Sequence, residues 1–440
     1  MYPRKLPVRN LLFRPCLAFA VSMLFASFEA GLAQDGFRRF EGKYIELITD
    51  LPADPEVDLE LQELPKAFDA AVPIWCEFFE VSPDDVASWK ATACLMLDKQ
   101  RFRSAGLIPA GVPEFPYGFQ YGDQLFVTEQ PSAYYRRHLL IHEGTHWFMS
   151  RQFGANAPPW IMEGMAEYFG THRWEYSQGE LFAPIIPVQK KEVPYWGRIT
   201  RIQKDLETGK APSLEQVMQY DNTAHRRPEA YAWSWAAVVF MLNHPDTREA
   251  YLDMLNQPMQ PDPIQTRWLF QRLRSRWPAI RESWNAFVSD LEYGWTPEPG
   301  MLQVSPQPRK LGSQEIQLTL STQESWQASG FYVLEGTKLQ VRAKGKFRVA
   351  ETSAPWISTA DGVSLEYYRG QPLGRLMLGF AMPRNGTSKT EKLTIVPLGM
   401  ESETVAPLSG ELHFRINESP GALQDNQGDL QIELKLLSSP

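Results

Sequence analysis

The sequence predicts an α+β fold followed by a separate all-β region, and three patterns support this. Near the amino terminus, short apolar strands alternate with a helix-like stretch. From Ser132 to about Tyr293, apolar residues recur at intervals of three and four, as in helices packed on a core. Residues 314–440 form short alternating segments separated by turn residues. With 440 residues, 43% hydrophobic and 22% charged, the chain has material for two or three cores.

Residues 1–33 have the pattern of a secretory signal peptide. Four basic residues precede the apolar run CLAFAVSMLFASF, and small residues lead to a predicted cleavage after Ala33. The run is too short to span a membrane comfortably, so no transmembrane span is expected after cleavage. We therefore expect an exported protein, in the periplasm, on the cell surface or outside the cell. The mature chain would carry 40 basic and 51 acidic residues, a net charge of −11 without a basic cluster, which argues against nucleic-acid binding.

Two cysteines remain after this cleavage, Cys76 and Cys94. An oxidising compartment would allow them to form a disulfide, but their spacing also suits two separate buried thiols. Both alternatives stay open from the sequence.

The first apolar segments predict the strands of a small sheet with an exposed edge. The segments KYIELITDLP and ATACLMLD have the apolar content of strands and flank a helix-like stretch from Asp58 to Phe79. In YGFQYGDQLFVTE, Gly122 and Asp123 separate two apolar runs, which predicts a hairpin or edge strand. A peptide could add its backbone to such an edge.

The next segment, HEGTH over residues 142–146, matches the H-E-x-x-H pattern of zinc hydrolases. His142 and His146 lie one helical turn apart, where two imidazoles can bind one Zn²⁺. Glu143 can then act as general base toward a water on the metal. Gly144 costs about 1 kcal/mol of helix propensity, which indicates close backbone packing at this point.

A third ligand is expected because catalytic zinc usually has three protein ligands. The stretch APPWIMEGMAEYFG predicts a second helix from Pro158-Pro159 to Gly170, with Glu163 and Glu167 on one face. Glu163 is the predicted third ligand. Glu167 is predicted to accept a hydrogen bond from a ligand imidazole and fix its tautomer. The two glutamates could also exchange these roles.

His138 is a further histidine one turn before His142. No glutamate follows it, and the preceding Arg136-Arg137 pair indicates a solvated helix start, so we do not assign it to the metal. Two alternatives to the enzyme remain: a core helix with incidental histidines, and a site that binds zinc without chemistry.

These segments resemble the gluzincin metallopeptidases, most closely the secreted bacterial "peptidase MA-like" group with H-E-x-x-H followed by W-x-x-E-G-x-A-E-Y. The likeness extends from about Lys43 to Glu292 and is strongest over residues 142–169. It implies a zinc metallopeptidase domain over residues 34–295, with a small sheet, a zinc helix and a helical subdomain. It also implies that Tyr231, in YAWSWAAVVFML, stabilises the oxyanion, although Ser234 stands where aminopeptidases of this class have glycine.

Residues 296–313 contain four prolines and little apolar pattern, so they predict a linker. The strands of residues 314–440 predict a β-sandwich. This region resembles the galactose-binding lectins of the PA-IL type, which depend on calcium. The likeness implies candidate calcium ligands at Glu418, Asp425 and Asn426, with the carbonyl of Ala422. Glu418 replaces the family's aspartate, and these residues could instead build turns.

Together these patterns predict an exported metallopeptidase with one Zn²⁺ per chain and a peptide or protein substrate. The alternative is an inactive peptidase-like scaffold that serves as a carbohydrate-binding or adhesive surface protein.

Overall fold

The computed structural model describes residues 36–154, 157–261, 263–302, 304–305, 307–351, 353–380 and 393–440. The predicted signal peptide lies outside these residues. The chain is a mixed α+β protein, as the sequence predicts, with a sheet and helices first and strands afterwards.

The first sheet has five strands in the order β1-β2-β3-β5-β4. They are β1 (Arg38–Glu41), β2 (Ile45–Thr49), β3 (Ala91–Met96), β4 (Gly118–Tyr121) and β5 (Gln124–Thr128), and helices α1 (Pro55–Phe78) and α2 (Lys99–Ser104) lie between them in the chain. Strands β2, β3 and β5 are parallel, while β1 and β4 run antiparallel to their neighbours. The predicted hairpin is present, and its strand β4 forms one edge of the sheet.

The two cysteines lie in different cores. Cys94, on β3, packs with Phe102 and Phe126 in a small cluster, whereas Cys76, on α1, belongs to the large core. Both thiols are buried and free. The structure therefore favours two separate thiols over a disulfide.

The large core is built mainly by helices, which follow the sheet as predicted. Helix α1 and residues of the first sheet contribute to this core. The elements that follow them, in chain order, are α3 (Ala133–Phe153), α4 (Pro159–Gly170), β6 (Arg173–Glu175), β7 (Glu180–Phe182), α5 (Arg198–Glu207), α6 (Leu214–Met218), α7 (Pro228–Asn243), α8 (Arg248–Leu255), α9 (Ile264–Leu273) and α10 (Trp277–Asp290). Helix α3 packs against α1 and the sheet, and α4 packs between α3 and α7. This arrangement leaves one face of α3 directed toward α4.

The segment over residues 296–313 packs closely against its surroundings. It contains a short turn, α11 (Pro297–Gly300), and strand β8 (Arg309–Lys310). Leu302, Val304 and Leu311 are buried. The few apolar residues of this proline-rich stretch are thus used as packing contacts.

The remaining strands lie in two larger sheets that share a hydrophobic core and in two separate two-stranded sheets, β12 with β13 and β14 with β15. They are β9 (Ile316–Ser321), β10 (Gln327–Val333), β11 (Lys338–Lys344), β12 (Phe347–Glu351), β13 (Pro355–Ser358), β14 (Val363–Tyr368), β15 (Gln371–Leu373), β16 (Leu376–Phe380), β17 (Thr394–Pro397), β18 (Glu401–Val405), β19 (Gly410–Ile416) and β20 (Asp429–Ser438). One sheet has the order β17-β16-β19-β10-β8 and the other β18-β11-β20-β9.

Strand β19 joins the two regions of the chain. Its apolar residues Leu412, Phe414 and Ile416 point into the core between the sheets. The alternate residues contact α10 instead: Arg415 Nη1 lies 2.6 Å from Asp290 Oδ2, and His413 Nε2 lies 2.8 Å from Glu282 Oε1. The polar face of this strand is therefore covered by a helix of the first region.

Among the described residues, no helix combines the length and apolar character needed to cross a bilayer.

Candidate metal centre

Packing on its far side fixes the position of helix α3. Ser132 caps the helix by accepting the backbone N–H of Tyr135, where the sequence predicts the helix to begin. A Cβ on Gly144 would lie 2.5 Å from Phe68 and 2.8 Å from Trp75 of α1. Glycine therefore lets α3 approach α1 closely, and the opposite face of α3 carries the histidines toward α4.

Helix α4 begins at Pro159, which suits the first turn of a helix because its missing N–H would have no partner there. A Cβ on Gly164 would lie 2.6 Å from the carbonyl oxygen of Ser234 on α7. This close crossing seats α4 against α7. It leaves Glu163 and Glu167, one turn apart, directed at the histidines of α3.

Three atoms converge between α3 and α4. The Nε2 atoms of His142 and His146 are 3.2 Å apart, and Oε2 of Glu163 lies 3.3 Å from the first and 3.6 Å from the second. Ligands bound at about 2.0–2.1 Å to a tetrahedral Zn²⁺ are about 3.4 Å apart. Oε2 of Glu163 is buried and accepts no hydrogen bond within the described chain. The three atoms thus have the spacing and the chemistry of one ligand set.

Glu167 lies on the other side of the His142 ring. Its Oε1 is 3.4 Å from His142 Nδ1 and 3.5 Å from His138 Nε2. His138, His142 and Glu167 form a second group of potential ligands. However, the guanidinium of Arg198 already donates two hydrogen bonds to the carboxylate of Glu167, with Nε 2.9 Å from Oε2 and Nη2 2.8 Å from Oε1. A carboxylate engaged in this way is suited to orienting an imidazole.

Burial and mutual charge make the centre strongly ionic. Burial opposes protonation of His142, yet the carboxylates of Glu163 and Glu167 raise its pKa to about 10. Burial also opposes ionisation of Glu163, but His146 and His142 lower its pKa to about 2. The carboxylates therefore stay ionised and attract positive charge. A divalent cation between these side chains would supply that charge.

Glu143 lies beside this group, against the edge strand of the sheet. The Glu143 side chain is almost fully buried. Burial raises the pKa of its carboxyl, although His142 and His146 oppose this shift. A carboxylate with a raised pKa is a stronger base. Gly118, the first residue of β4, is its neighbour on the strand.

A cleft of about 520 Å³ runs past the centre. Residues 113–120, which include most of β4, form one wall, and Tyr231 on α7 lies on another. The ring centroids of Tyr231 and His142 are 5.8 Å apart. The structure thus brings every residue predicted for the zinc site and its chemistry to one cleft.

The expectation of a solvated helix start around His138 was wrong, and the sequence did not indicate Arg198. His138 is fully buried, and its Nδ1 lies 2.8 Å from the carbonyl oxygen of Gly170. Arg137 is also buried, where it contacts Glu60 and Tyr176, so the helix start is covered rather than solvated. No local pattern marks Arg198, because it meets Glu167 only through the tertiary fold.

The residues predicted to bind calcium come together only in part. Asn426 Nδ2 donates to Glu418 Oε2 at 2.6 Å, and both side chains are buried. Burial raises the pKa of Glu418 to about 7. Asp425 is exposed and belongs to a short 3₁₀ turn that begins after Ala422. The geometry shows a buried Glu–Asn pair, and calcium binding at these residues stays a prediction.

A family described as "Protein of unknown function (DUF1570)" matches residues 139–265, which include the metal centre. No curated protein matches the chain.

Solved structures give weak likenesses. A PllA-like lectin, the EclA N-terminal domain, is 16% identical with a TM-score of 0.21, covering 27% of this chain and 94% of that one. IMPa from Pseudomonas aeruginosa in complex with an O-glycopeptide is 12% identical with a TM-score of 0.17, covering 59% and 25%. The IMPa metallopeptidase in complex with T-antigen is 14% identical with a TM-score of 0.17, covering 82% and 39%. TM-scores this low do not establish a shared fold.

Proposed function

We propose that this chain is an exported zinc metallopeptidase that hydrolyses peptide bonds. The observation that carries the proposal is the convergence of His142 Nε2, His146 Nε2 and Glu163 Oε2 within 3.2–3.6 Å of one another, with Glu143 beside them. These three side chains would hold one Zn²⁺ per chain. When bound, the ion would polarise the scissile carbonyl and lower the pKa of a water molecule.

Each of the surrounding side chains has a separate role in the proposed hydrolysis. Glu143 accepts the proton of the attacking water and passes it to the nitrogen of the leaving amine. Tyr231 donates a hydrogen bond to the oxygen on which negative charge develops. Glu167 accepts a hydrogen bond from His142 Nδ1 and so fixes the tautomer of that ring. The peptide adds its backbone to β4, the edge strand that borders the cleft.

We further propose that residues 34–295 are the catalytic domain, that residues 296–313 connect it to the rest and that residues 314–440 form a β-sandwich. Two sheets around a shared core support the sandwich. Calcium and carbohydrate binding by this domain form the contrasting hypothesis, in which the first domain is an inactive scaffold. The buried contact between Glu418 and Asn426 is the feature that this hypothesis would use.

The deciding measurement is the zinc content of residues 34–440, by elemental analysis, with and without reconstitution. We expect about one zinc per chain in the wild type and in Glu143→Gln, and little in His146→Ala and Glu163→Ala. Cleavage of a mixed peptide library should disappear in Glu143→Gln, because the metal stays while the base is lost. A folded protein that takes up no zinc would contradict the proposal. Calcium-dependent sugar binding that survives Glu143→Gln would favour the contrasting hypothesis.

A further inference from the structure

We propose that Arg198 is a positioning residue of the metal centre, which holds Glu167 against His142 and supports the ring of Tyr231. The inference rests on the proposed function. No motif in the sequence points to Arg198, and its role follows from contacts on two sides of one guanidinium group.

The first side of this group faces Glu167. Nε and Nη2 of Arg198 reach the two carboxylate oxygens at 2.9 and 2.8 Å, a two-pronged arrangement that fixes the plane of the carboxylate. Trp196 Nε1 adds a donor to Oε2 at 3.2 Å. With both oxygens held, Oε1 is directed at Nδ1 of His142, 3.4 Å away.

Because the carboxylate of Glu167 is buried, it needs a charged partner such as Arg198. The side chain of Glu167 is 1% exposed and that of Arg198 is 13% exposed. A carboxylate removed from water in this way is stable only when a charge or several donors compensate it. Arginine suits the site better than lysine, because its planar guanidinium can donate hydrogen bonds to both carboxylate oxygens at once. The ammonium group of lysine acts as a point charge.

The second side of the guanidinium faces Tyr231. The Arg198 Cζ atom lies 5.4 Å from the centre of the Tyr231 ring, within the range of a cation–π contact. The same ring is 5.8 Å from the ring of His142. One side chain therefore contacts both the residue that orients a metal ligand and the residue proposed to meet the substrate carbonyl.

The local sequence explains how Arg198 reaches this position. Gly197 adopts a left-handed backbone conformation with φ of 60°, which glycine allows at little cost. It turns the chain between Trp196 and the first residue of α5, so that both side chains point at Glu167. Arg201, one turn further along α5, pairs with Asp205 and Glu229 instead of Glu167. Arg201 is thus a matched control on the same helix.

The test uses residues 34–440 as wild type, Arg198→Lys, Arg198→Gln and Arg201→Gln. Zinc affinity is measured by competition with a chromophoric chelator, and the visible ligand-field spectrum is recorded after loading with Co²⁺. Loss of a partner that orients a ligand typically weakens metal binding about 10–100-fold. We expect this loss and an altered Co²⁺ spectrum in Arg198→Gln, a smaller change in Arg198→Lys, and wild-type behaviour in Arg201→Gln.

Arg198→Gln could fail to fold because Glu167 would lose its counter-charge. In that case Arg198→Lys is the deciding variant, since it keeps the positive charge and loses only the pair of hydrogen bonds to the carboxylate. Wild-type zinc affinity and a wild-type Co²⁺ spectrum in folded Arg198→Lys would overturn the inference. Failure of the wild type to bind either metal would instead remove the proposed function itself, and the inference with it.

A kinetic measurement separates positioning from substrate binding, because Arg198 also lines the cleft. With the fluorogenic peptide that the wild type cleaves best and with saturating zinc, Arg198→Lys should lower kcat and leave KM nearly unchanged. A raised KM with an unchanged kcat would show that Arg198 binds substrate, and would also overturn the inference.

Discussion

The carboxylate of Glu143 occupies the space that a side chain on Gly118 would need. A Cβ built on Gly118 would lie 2.2 Å from Oε1 of Glu143 and 2.9 Å from its Cδ. The edge strand and the proposed base are therefore in direct contact. Any residue other than glycine at this position of β4 must displace the carboxylate, the strand, or both.

We predict that Gly118→Ala binds zinc like the wild type but loses activity. Displacing a reacting group by about 1 Å can cost about 10²-fold in rate, so we expect kcat/KM to fall by about that factor. The measurement is peptide cleavage alongside zinc content. Gly111→Ala is the control, since its new methyl group would meet only the hydroxyl end of the exposed Tyr121 side chain, at 3.3 Å. Equal activity of the two variants would contradict the prediction.

A second prediction concerns the ion pair between Asp290 and Arg415. Both side chains are at most 4% exposed, and their closest atoms are 2.6 Å apart. Removing one partner of a buried pair leaves an uncompensated charge and typically costs about 3–5 kcal/mol. Asp290→Ala should therefore lower the melting temperature clearly by differential scanning calorimetry.

Asp253→Ala is the matched control for that variant. Asp253 and Arg272 are also 2.6 Å apart, but both are nearly half exposed. An exposed pair contributes about 0–1 kcal/mol, so this variant should melt close to the wild type. Similar melting temperatures for the two variants would show that burial of the Asp290 pair does not matter.

A third prediction concerns the pH dependence of stability. Burial lowers the pKa of His244 from its usual 6.5 to about 4, against the opposing effect of Asp246. Between these values the unfolded chain takes up a proton and the folded chain does not, so stability falls as the pH falls from 6.5 to 4. The contribution of His244, on the order of 3 kcal/mol, is complete above pH 6.5 and lost near pH 4.

The corresponding experiment compares the wild type with His244→Gln at pH 7 and pH 5 by calorimetry. Other groups change protonation equally in both proteins, so the difference between them isolates His244. The wild type should lose more stability on acidification than the variant does. Parallel losses would rule out His244 as a source of acid sensitivity.

A fourth prediction concerns the cysteines. Burial raises the pKa of Cys94 to about 12 and that of Cys76 above its usual value, so neither forms a thiolate readily near neutral pH. Residues 34–440 should show no rapid reaction with a thiol reagent when folded, and two reactive thiols in denaturant without reductant. A count of zero in denaturant would mean that the two cysteines are joined in a disulfide.

The sequence predicts the parts of this protein that depend on periodicity. The histidines of α3 and the glutamates of α4 are identifiable because helical spacing alone brings each pair to one face. The hairpin of β4 and β5 is identifiable from Gly122 and Asp123, which mark its turn. Helical periodicity therefore suffices to identify the proposed metal ligands.

Other features arise only from contacts between distant segments. His138 carries the same local signals as an exposed histidine, and it is buried because Gly170 of α4 packs on its ring. Arg198 lies about thirty residues from Glu167, with no repeating pattern between them. Arg415 and His413 alternate with apolar residues in β19, a pattern that predicts a solvent-exposed face. In the structure, α10 covers this face. Strand β1 was not predicted at all.

The contacts of β19 with α10 also bear on how the molecule would behave at a surface. A tether of flexible chain would let the two regions turn independently, but here charged pairs and buried leucine and valine side chains occupy the junction. A ligand that captures the carboxy-terminal strands would therefore also set the direction in which the proposed catalytic cleft opens. The cleft could then reach substrates attached to that same ligand from one direction only.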